Sequence, residues 1–212
     1  MSQYLYTPAG APGSAPAGLT PFGASRPGDW TIQSADSVPV LQAFRNAAPA
    51  GDYGLSLDAA AADPHSDAIE ILGKFSGGTD AAGGLCFARA SGVAGHESFL
   101  YARLGQVLSR RGLLPGVIVG QYQDGIASIN VAASFAHVPG GAYQYRFKVA
   151  NAQVSLRVWA DGSPEPATWL IDSVNFGVPG VGLAGVFAPA IAAPNIWYAF
   201  GVGTGGDPAP AI

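Results

Sequence analysis

Charged residues are scarce in this sequence. Lys, Arg, Asp and Glu make up 11% of its 212 residues, whereas soluble domains typically contain about 25%. Much of the surface must therefore be uncharged, as is common for surfaces that lie against other protein. The formal net charge is -4, and the basic residues are scattered apart from Arg110 and Arg111. Because no basic stripe is available to neutralise phosphates, the composition argues against a nucleic-acid partner.

Cysteine, glutamate and long apolar runs are also scarce. Cys86 is the only cysteine, so no disulfide framework exists, and its apolar neighbours predict a buried small hydrophobe. Glu occurs three times, whereas Gly and Pro occur 30 and 17 times, a composition that disfavours helix and suits short strands joined by turns. No apolar run reaches the roughly 18 residues of a membrane span, and residues 1–10 do not resemble a signal peptide. We therefore expect that the protein does not insert into a membrane and that it is assembled in a cytosol.

What the sequence has in abundance is a period of two. Apolar residues alternate with polar ones in residues 143–149 and 154–159, which predicts half-buried strands. Asn151 lies between these two segments, and Asp124-Gly125 lies between two further apolar segments, so both places predict β-hairpins. About eleven strand candidates follow from this pattern, enough for two packed sheets. The predicted fold class is therefore all-β, an antiparallel two-sheet sandwich.

One segment is ambiguous. Five apolar residues between 97 and 114 also fit one face of a helix. We expect strand for the first half of this segment and leave residues 105–112 open between strand and helix.

Residues 1–28 form a low-complexity segment rich in Pro, Gly, Ala and Ser. The segment has no periodicity and cannot form a core of its own. Two interpretations remain open, a flexible tail or an extended arm that orders against a neighbouring subunit. Tyr4, Tyr6 and Phe22 favour the arm, because pure spacers usually lack aromatic anchors. We therefore expect an N-terminal assembly arm, residues 1–28, followed by the sandwich, residues 29–212.

The carboxylates do not predict a catalytic pair. A glycosidase needs two carboxyl groups that flank the scissile bond. Asp67 and Glu70 are three residues apart and point to opposite faces of an extended strand. Asp161 and Glu165 lie in a Gly- and Pro-containing segment, where turn geometry explains the residue types. We therefore expect no catalytic residues and a protein that is not an enzyme.

The remaining titratable residues give equally weak signals. The three histidines lack HxH or HxxxH spacing, so neither a zinc site nor a catalytic triad is indicated, and surface loops are the expected location. Three aspartates fall in one apparent loop and leave Ca²⁺ open as a cofactor, although their spacing matches no EF-hand. These residues are His65, His96 and His137 for the histidines and Asp58, Asp63 and Asp67 for the aspartates.

Tryptophan is the best indication of a binding site. Sugars are commonly held against exposed aromatic rings with help from a few polar groups. Trp159, Trp169 and Trp197 are therefore the candidate carbohydrate-binding residues. Trp159 alternates with the apolar residues of its strand and is expected on the opposite, accessible face. The competing interpretation is that these rings pack at a sheet or subunit contact.

Several segments form a familiar set when taken together. A strand that ends in Trp159 is followed by Pro164-Glu165-Pro166 and then Trp169, and the chain closes with a GTGGDPAP segment. Other segments in the set are 68–75, 84–92, 145–149 and 180–183. Over roughly residues 60–210 this set resembles the concanavalin A-like, laminin G-like jelly-roll domains found in phage virion proteins and in related glycan-binding modules.

The resemblance implies a non-enzymatic structural protein of a phage particle, in the tail, baseplate or head surface. It implies a jelly-roll sandwich displayed on the virion, attached through the N-terminal arm to other virion proteins or to further copies of the chain. The alternative is a receptor-binding, lectin-like module that recognises a bacterial surface polysaccharide. A glycoside hydrolase or lyase on the same sandwich is a further alternative.

Overall fold

The computed structural model describes residues 2–23, 29–35, 37–43, 53–57, 68–76, 83–92, 96–109, 112–176, 182–188 and 195–212. Within these ranges the regular elements are fifteen β-strands, without a helix. The strands are β1 Ser2–Tyr6, β2 Leu19–Gly23, β3 Trp30–Ala35, β4 Val38–Ala43, β5 Tyr53–Leu57, β6 Ala68–Ser76, β7 Gly83–Ser91, β8 Ser98–Ser109, β9 Gly112–Gln123, β10 Ile126–Ser134, β11 Ala142–Ala150, β12 Gln153–Ala160, β13 Ile171–Asn175, β14 Leu183–Ala188 and β15 Asn195–Thr204.

The strands form two antiparallel sheets. The first sheet has the order β13-β12-β11-β6-β15-β4-β3, and β1 also pairs with β15. The second sheet has the order β10-β9-β8-β7-β14-β5-β2. Neighbours in both orders are often distant in sequence, which is the expected connectivity when a chain crosses repeatedly between two layers. The predicted all-β, two-sheet sandwich is confirmed.

Both predicted hairpins are present. β11 and β12 join through Asn151, whose φ is +54°, and β9 and β10 join through Asp124 and Gly125, with φ values of +52° and +75°. Positive φ is a conformation that Asn, Asp and Gly tolerate better than other residues. The helical alternative is wrong for residues 98–109 and 112–114, because β8 continues to Ser109 and β9 begins at Gly112; residues 110 and 111 lie outside the described residues.

The main core lies between the two sheets. The apolar residues of the period-two segments point inward there, and the largest fully buried side chains include Trp197, Tyr145, Phe75 and Phe147. The Trp197 indole N–H and the Tyr145 hydroxyl both donate to the Leu85 carbonyl of the second sheet, over 3.0 and 3.2 Å. These two bonds satisfy polar groups in the core and connect the sheets. Cys86 is fully buried as predicted, and its burial raises the pKa of the thiol.

The two ends of the N-terminal segment belong to this sandwich. β1 pairs with β15 over its whole length, and β2 pairs with β5. Tyr6 is 7% exposed and packs 5.1 Å from Phe200, and burial raises the pKa of its hydroxyl to about 12. Phe22 stacks 5.2 Å from Phe87, while Tyr4 packs on the main core.

The predicted arm, residues 1–28, was expected outside the sandwich and anchored elsewhere by its aromatic side chains; for residues 2–6 and 19–23 these contacts correct that expectation, while residues 1 and 24–28 lie outside the described residues. A short segment needs no core of its own when it can add a strand to the edge of an existing sheet and bury one or two rings there. Pro- and Gly-rich composition gave no indication of that pairing.

Candidate functional site

The outer face of the first sheet carries a patterned polar surface. Since side chains alternate between faces along a strand, β6, β11 and β12 each point their polar residues away from the core. Strand register then places Arg146 directly opposite Arg157 on one side and Leu72 on the other. The outward residues are Glu70, Leu72 and Lys74 on β6, Gln144, Arg146 and Lys148 on β11, and Ser155, Arg157 and Trp159 on β12.

Two arginines and two glutamates form one charge cluster on this face. Arg146 donates from Nε and Nη2 to the two carboxylate oxygens of Glu165, over 2.7 and 2.9 Å, and its Nη1 donates to Glu70. Arg157 Nη1 donates to Glu165 over 2.8 Å. The Arg157 guanidinium also lies 3.9 Å from the centre of the Trp169 ring. The four formal charges cancel, and the arginines are held in planar, two-sided contacts.

Hydrogen bonding shifts the pKa values of Arg146 and Glu165 toward their charged forms. The bond from Arg146 lowers the pKa of Glu165, against the raising effect of burial. The same bond raises the pKa of Arg146. A general acid in glycoside hydrolysis needs a raised pKa. The pairing of Glu165 with Arg146 therefore favours a carboxylate that is charged at neutral pH over an acid catalyst.

A turn after β12 brings Glu165 to the cluster. Gly162 has a φ of +79°, and Ser163 N–H bonds to the carbonyl of Ala160 over 3.1 Å. Asp161 accepts from Lys74 at 2.7 Å and from Gln144 at 2.9 Å, and the bond from Lys74 lowers the pKa of Asp161. The predicted turn is present, and both of its carboxylates additionally bind the sheet face.

A cleft of about 330 Å³ lies beside this cluster. Trp159 and Leu72 supply its apolar surface, and Gln144, Arg146 and Glu165 supply hydrogen-bonding groups. The remaining boundary comes largely from residues 207–212, here called the tail segment. Apolar walls with a few fixed polar groups are the usual composition of a small-molecule site.

The tail segment lies across the outer face of the first sheet. Ala209 N–H donates to Glu70 Oε1 over 3.1 Å, and Gln3 Nε2 donates to the carbonyl of Pro208 over 2.9 Å. The Ala209 side chain is buried against Leu72 and Trp159. Gly203 on β15 makes room for the segment, since a Cβ atom there would lie 2.3 Å from the carbonyl oxygen of Asp207.

The three candidate tryptophans lie in three different environments. Trp159 lies on the expected outward face and lines the cleft, but its accessibility was predicted wrongly, because Ala209 and Leu72 cover the ring and leave 6% of it exposed. Trp169 is partly exposed behind Arg157 and is not among the cleft-lining residues. Trp197 is fully buried in the core, so its prediction as a sugar-binding residue is wrong. The reason is that β15 is an internal strand, and Trp197 points toward the opposite sheet and bonds to Leu85.

The histidines also differ from one another. His96 is exposed and its Nδ1 lies 2.6 Å from Asp124 Oδ1. His137, expected on the surface, is 5% exposed and packs beside Phe135 and Tyr143. Burial lowers the pKa of His137, against the effect of bonds to the carbonyls of Gly105 and Gly116. That expectation is corrected because residues 135–138 cross a sheet edge and cover the core.

The described residues bear only in part on the expectations about a calcium site and about membrane insertion. His65, Asp58, Asp63 and Asp67 lie outside the described residues. Among the residues that are described, His, Cys, Asp and Glu side chains do not gather in groups of three or more that could hold a metal ion. Within the same ranges, the structure has no helix with the length and hydropathy of a membrane span.

Sequence reasoning missed the cluster of Arg146, Arg157, Glu70 and Glu165. A signal was available, because a two-residue hairpin turn at 151–152 fixes the register of β11 against β12 and places Arg146 opposite Arg157. Two neighbouring arginines on one sheet face require carboxylates nearby.

Comparison with known proteins shows similarity in structure only. No protein-family model matches the sequence, and none of the curated proteins matches it. Basic winged bean lectin, solved with Tn-antigen, superimposes with a TM-score of 0.59 at 11% identity, covering 97% of this chain and 99% of the lectin. The exoplasmic/lumenal domain of VIP36, in a Ca²⁺- and Man-bound form, gives a TM-score of 0.54 at 8% identity, over 93% and 87% of the two chains.

An enzyme is also among the similar structures. A mutant of the GH43 protein BlXynB from Bacillus licheniformis gives a TM-score of 0.51 at 11% identity over 85% of this chain. The chain spans 38% of the length of that protein. Identities this low show the fold alone. The fold is the concanavalin A-like jelly-roll sandwich that the resemblance implied.

Proposed function

We propose that this protein is a non-catalytic, lectin-like module that binds carbohydrate in the cleft on the outer face of its first sheet. The observation that carries the proposal is the composition of the cleft. Trp159 and Leu72, each 6% exposed, contribute the apolar part of the lining for the C–H face of a sugar, while Arg146, Glu165 and Gln144 offer donors and acceptors for hydroxyl groups. Each of these polar groups is held by another side chain, so little ordering is needed when a ligand binds.

The bound sugar is uncharged. Arg146 and Arg157 are already paired with Glu70 and Glu165, and Lys74 is paired with Asp161. An anionic sugar would need an arginine that is not neutralised and would approach two carboxylates. A cationic sugar would need a carboxylate that is not already paired and would approach two arginines. A neutral ligand exchanges hydrogen bonds without breaking an ion pair.

The structural neighbours support this proposal as examples of what the fold can do. One was solved with Tn-antigen and another in a mannose-bound form. The GH43 neighbour keeps a hydrolase open as an alternative. The arginine-paired state of Glu165 gives that alternative no acid catalyst in the cleft.

The virion role implied by the sequence resemblance stays a proposal. A particle protein of the tail, baseplate or head surface that carried this module would present the cleft to a bacterial surface polysaccharide. The predicted attachment through an N-terminal arm loses its support, because β1 and β2 are strands of the sandwich. Attachment would therefore use other surfaces of the protein.

A glycan array that contains neutral and anionic bacterial polysaccharides tests the proposal. We expect the protein to bind neutral glycans, the Trp159→Ala variant to lose at least tenfold in affinity, and binding to be nearly independent of salt. Ile126→Ala is the control, since Ile126 is 73% exposed on β10 of the other sheet. Equal binding by Trp159→Ala and the unmodified protein would sink the assignment of the cleft.

A further inference from the structure

We propose that the tail segment, residues 207–212, is a displaceable lid over the carbohydrate cleft. The inference rests on the proposed function of that cleft. In the closed position the lid covers one side of Trp159 and occupies the face above β15. In the open position the cleft becomes a groove that extends toward β1.

The lid is held by few contacts compared with any strand. Its described polar contacts to the sheet are three hydrogen bonds: the N–H of Ala209 on Glu70, the carbonyl of Pro208 on Gln3, and the N–H of Asp207 on the carbonyl of Thr204. Its buried apolar side chain is Ala209, which is small. Pro208 and Pro210 have no N–H groups, so the segment cannot pair as a strand. Few buried contacts and exposed backbone bonds are the features of segments that open locally.

Two adjacent glycines connect the lid to β15. Gly205 and Gly206 have φ values of +65° and +90°, and a Cβ atom on Gly206 would meet nothing within 4 Å. Glycine adopts many backbone conformations at low cost. The connection can therefore change direction without disturbing the pairing of β15 with β1 and β6.

The surface under the lid is shaped to receive an extended chain. Gly201 and Gly203 point outward from β15, and Cβ atoms there would lie 2.6 Å from Pro210 Cγ and 2.3 Å from the Asp207 carbonyl oxygen. When the lid opens, these glycines leave a flat strip next to Leu72. A neutral oligosaccharide that extends from Trp159 along this strip would compete with the lid for the same surface.

The lid is also connected to the polar groups of the site. Ala209 N–H and Arg146 Nη1 both donate to Oε1 of Glu70. A sugar hydroxyl can replace the Ala209 N–H as the donor to this oxygen. Opening of the lid therefore leaves Glu70 with an acceptor position for the ligand, while Arg146 keeps its two bonds to Glu165.

Hydrogen exchange measures lid opening without any glycan. Ala209 carries the single N–H between the two prolines, so one amide reports on the segment. We expect Ala209 N–H to exchange at least 100-fold faster than the N–H of Phe147 at the centre of the first sheet. Exchange of the two amides at the same rate would show that the segment opens only when the protein unfolds, which would overturn the proposal.

A reversible disulfide tests whether holding the lid closed prevents glycan binding. Leu72 and Ala209 are in contact, so the double variant Leu72→Cys/Ala209→Cys can form a disulfide that holds the lid closed. On the neutral glycan array, we expect the oxidised form to lose at least tenfold in signal and to regain it after reduction. The two single-cysteine variants are the controls and should not respond to oxidation. Equal signals from the oxidised and reduced forms would refute the lid.

A second variant displaces the lid from the sheet while keeping all of the lid residues. In Gly203→Ala the added methyl group must displace residues 207–208, and we expect acrylamide to quench tryptophan fluorescence more strongly because Trp159 becomes accessible. Unchanged quenching would contradict the displacement. If Ala209 exchanges fast and Gly203→Ala exposes Trp159, but all forms fail to bind neutral glycans, the lid stands and the carbohydrate function fails.

Discussion

Replacing Glu165 with glutamine tests whether the charge cluster organises the outer face of the first sheet. The Glu165 carboxylate accepts three hydrogen bonds from Arg146 and Arg157, at 2.7, 2.9 and 2.8 Å. Glutamine keeps the shape of the side chain but removes the charge and points an NH₂ group at one guanidinium. Arg146 retains Glu70, whereas Arg157 loses its ion pair with Glu165.

The expected loss of stability depends on the three hydrogen bonds that change and on the solvent exposure of their side chains. A hydrogen bond to a charged group contributes roughly 1.5–3 kcal/mol, against about 1 kcal/mol for a neutral one, so a loss of about 0.5–2 kcal/mol at each of three bonds sets an upper value of about 6 kcal/mol. The side chains of Glu165 and Arg146 are 28% and 19% exposed, and solvent screening reduces this value. We expect Glu165→Gln to lower the free energy of unfolding by about 1.5–2 kcal/mol. For a chain of this length that corresponds to a Tm decrease of roughly 3–8 °C.

The same substitution has a pH signature. The pKa of Glu165 is lowered in the folded protein, whereas a glutamate in the unfolded chain titrates near about 4.3. The folded state therefore binds fewer protons, and the stabilisation is fully present above about pH 4.3 and is lost as pH falls through the folded pKa. The difference in Tm between the two proteins should be constant near neutral pH and shrink below about pH 4.

Thermal unfolding followed by circular dichroism between pH 3 and pH 7 checks both statements. Asp124→Asn is the matched control, because Asp124 pairs with His96 at an exposed site and should change Tm by less than about 2 °C. A Tm change of Glu165→Gln within that small range at pH 7 would show that the charge cluster does not stabilise the sheet face. A Tm difference that persists unchanged at pH 3 would show that the stabilisation does not come from the charge of Glu165.

Three further predictions concern the core. Trp197→Phe should lower the free energy of unfolding by about 1–3 kcal/mol, because it replaces the buried indole with a smaller ring and removes the bond to Leu85. It should leave glycan binding unchanged in the array. Gly73→Ala should cost about 1–3 kcal/mol in a urea titration, since its Cβ atom would lie 2.3 Å from the Tyr145 ring. Burial lowers the pKa of His137, so stability should fall as pH drops below the unfolded value of about 6.5. His137→Phe should flatten this slope between pH 5 and pH 6.5 in thermal unfolding, and an unchanged slope would contradict the assignment.

The strands could be predicted because their signal is local. In β11 and β12 every second residue is apolar, and Asn151 provides the positive φ of the connecting turn. Those two facts also determine the register, so the amino-acid sequence suffices to place Arg146 and Arg157 side by side. Asp124 and Gly125 give the second hairpin by the same physical argument.

The site could not be predicted in full because its partners come from distant parts of the sequence. Glu70 reaches Arg146 only because β6 lies next to β11, and Ala209 reaches Glu70 only because the tail segment turns back over β15. The burial of a side chain likewise depends on strands that are distant in the sequence. Trp159 and Trp197 both lie in strands, and only the sheet order and register show that one faces the cleft and the other the core.

The N-terminal segment shows a related limit. Residues 2–6 and 19–23 have few features of a strand. They become strands because β5 and the second half of β15, residues 200–204, which lie beyond its pairing with β4, offer free edges. Edge pairing depends on the neighbour more than on the added sequence. Tyr6 and Phe22 were predicted as anchors on a neighbouring subunit, whereas they contact the sandwich of their own chain.

The most direct test of the carbohydrate site is an NMR titration of the ¹⁵N-labelled protein with the neutral glycan that binds best on the array. We predict that the indole N–H signal of Trp159 and the Nε–H signal of Arg146 shift with saturation, while the signals of the buried Trp30 and Trp197 stay in place. Saturable shifts confined to other residues, with Trp159 and Arg146 unchanged, would show that the glycan binds outside the cleft.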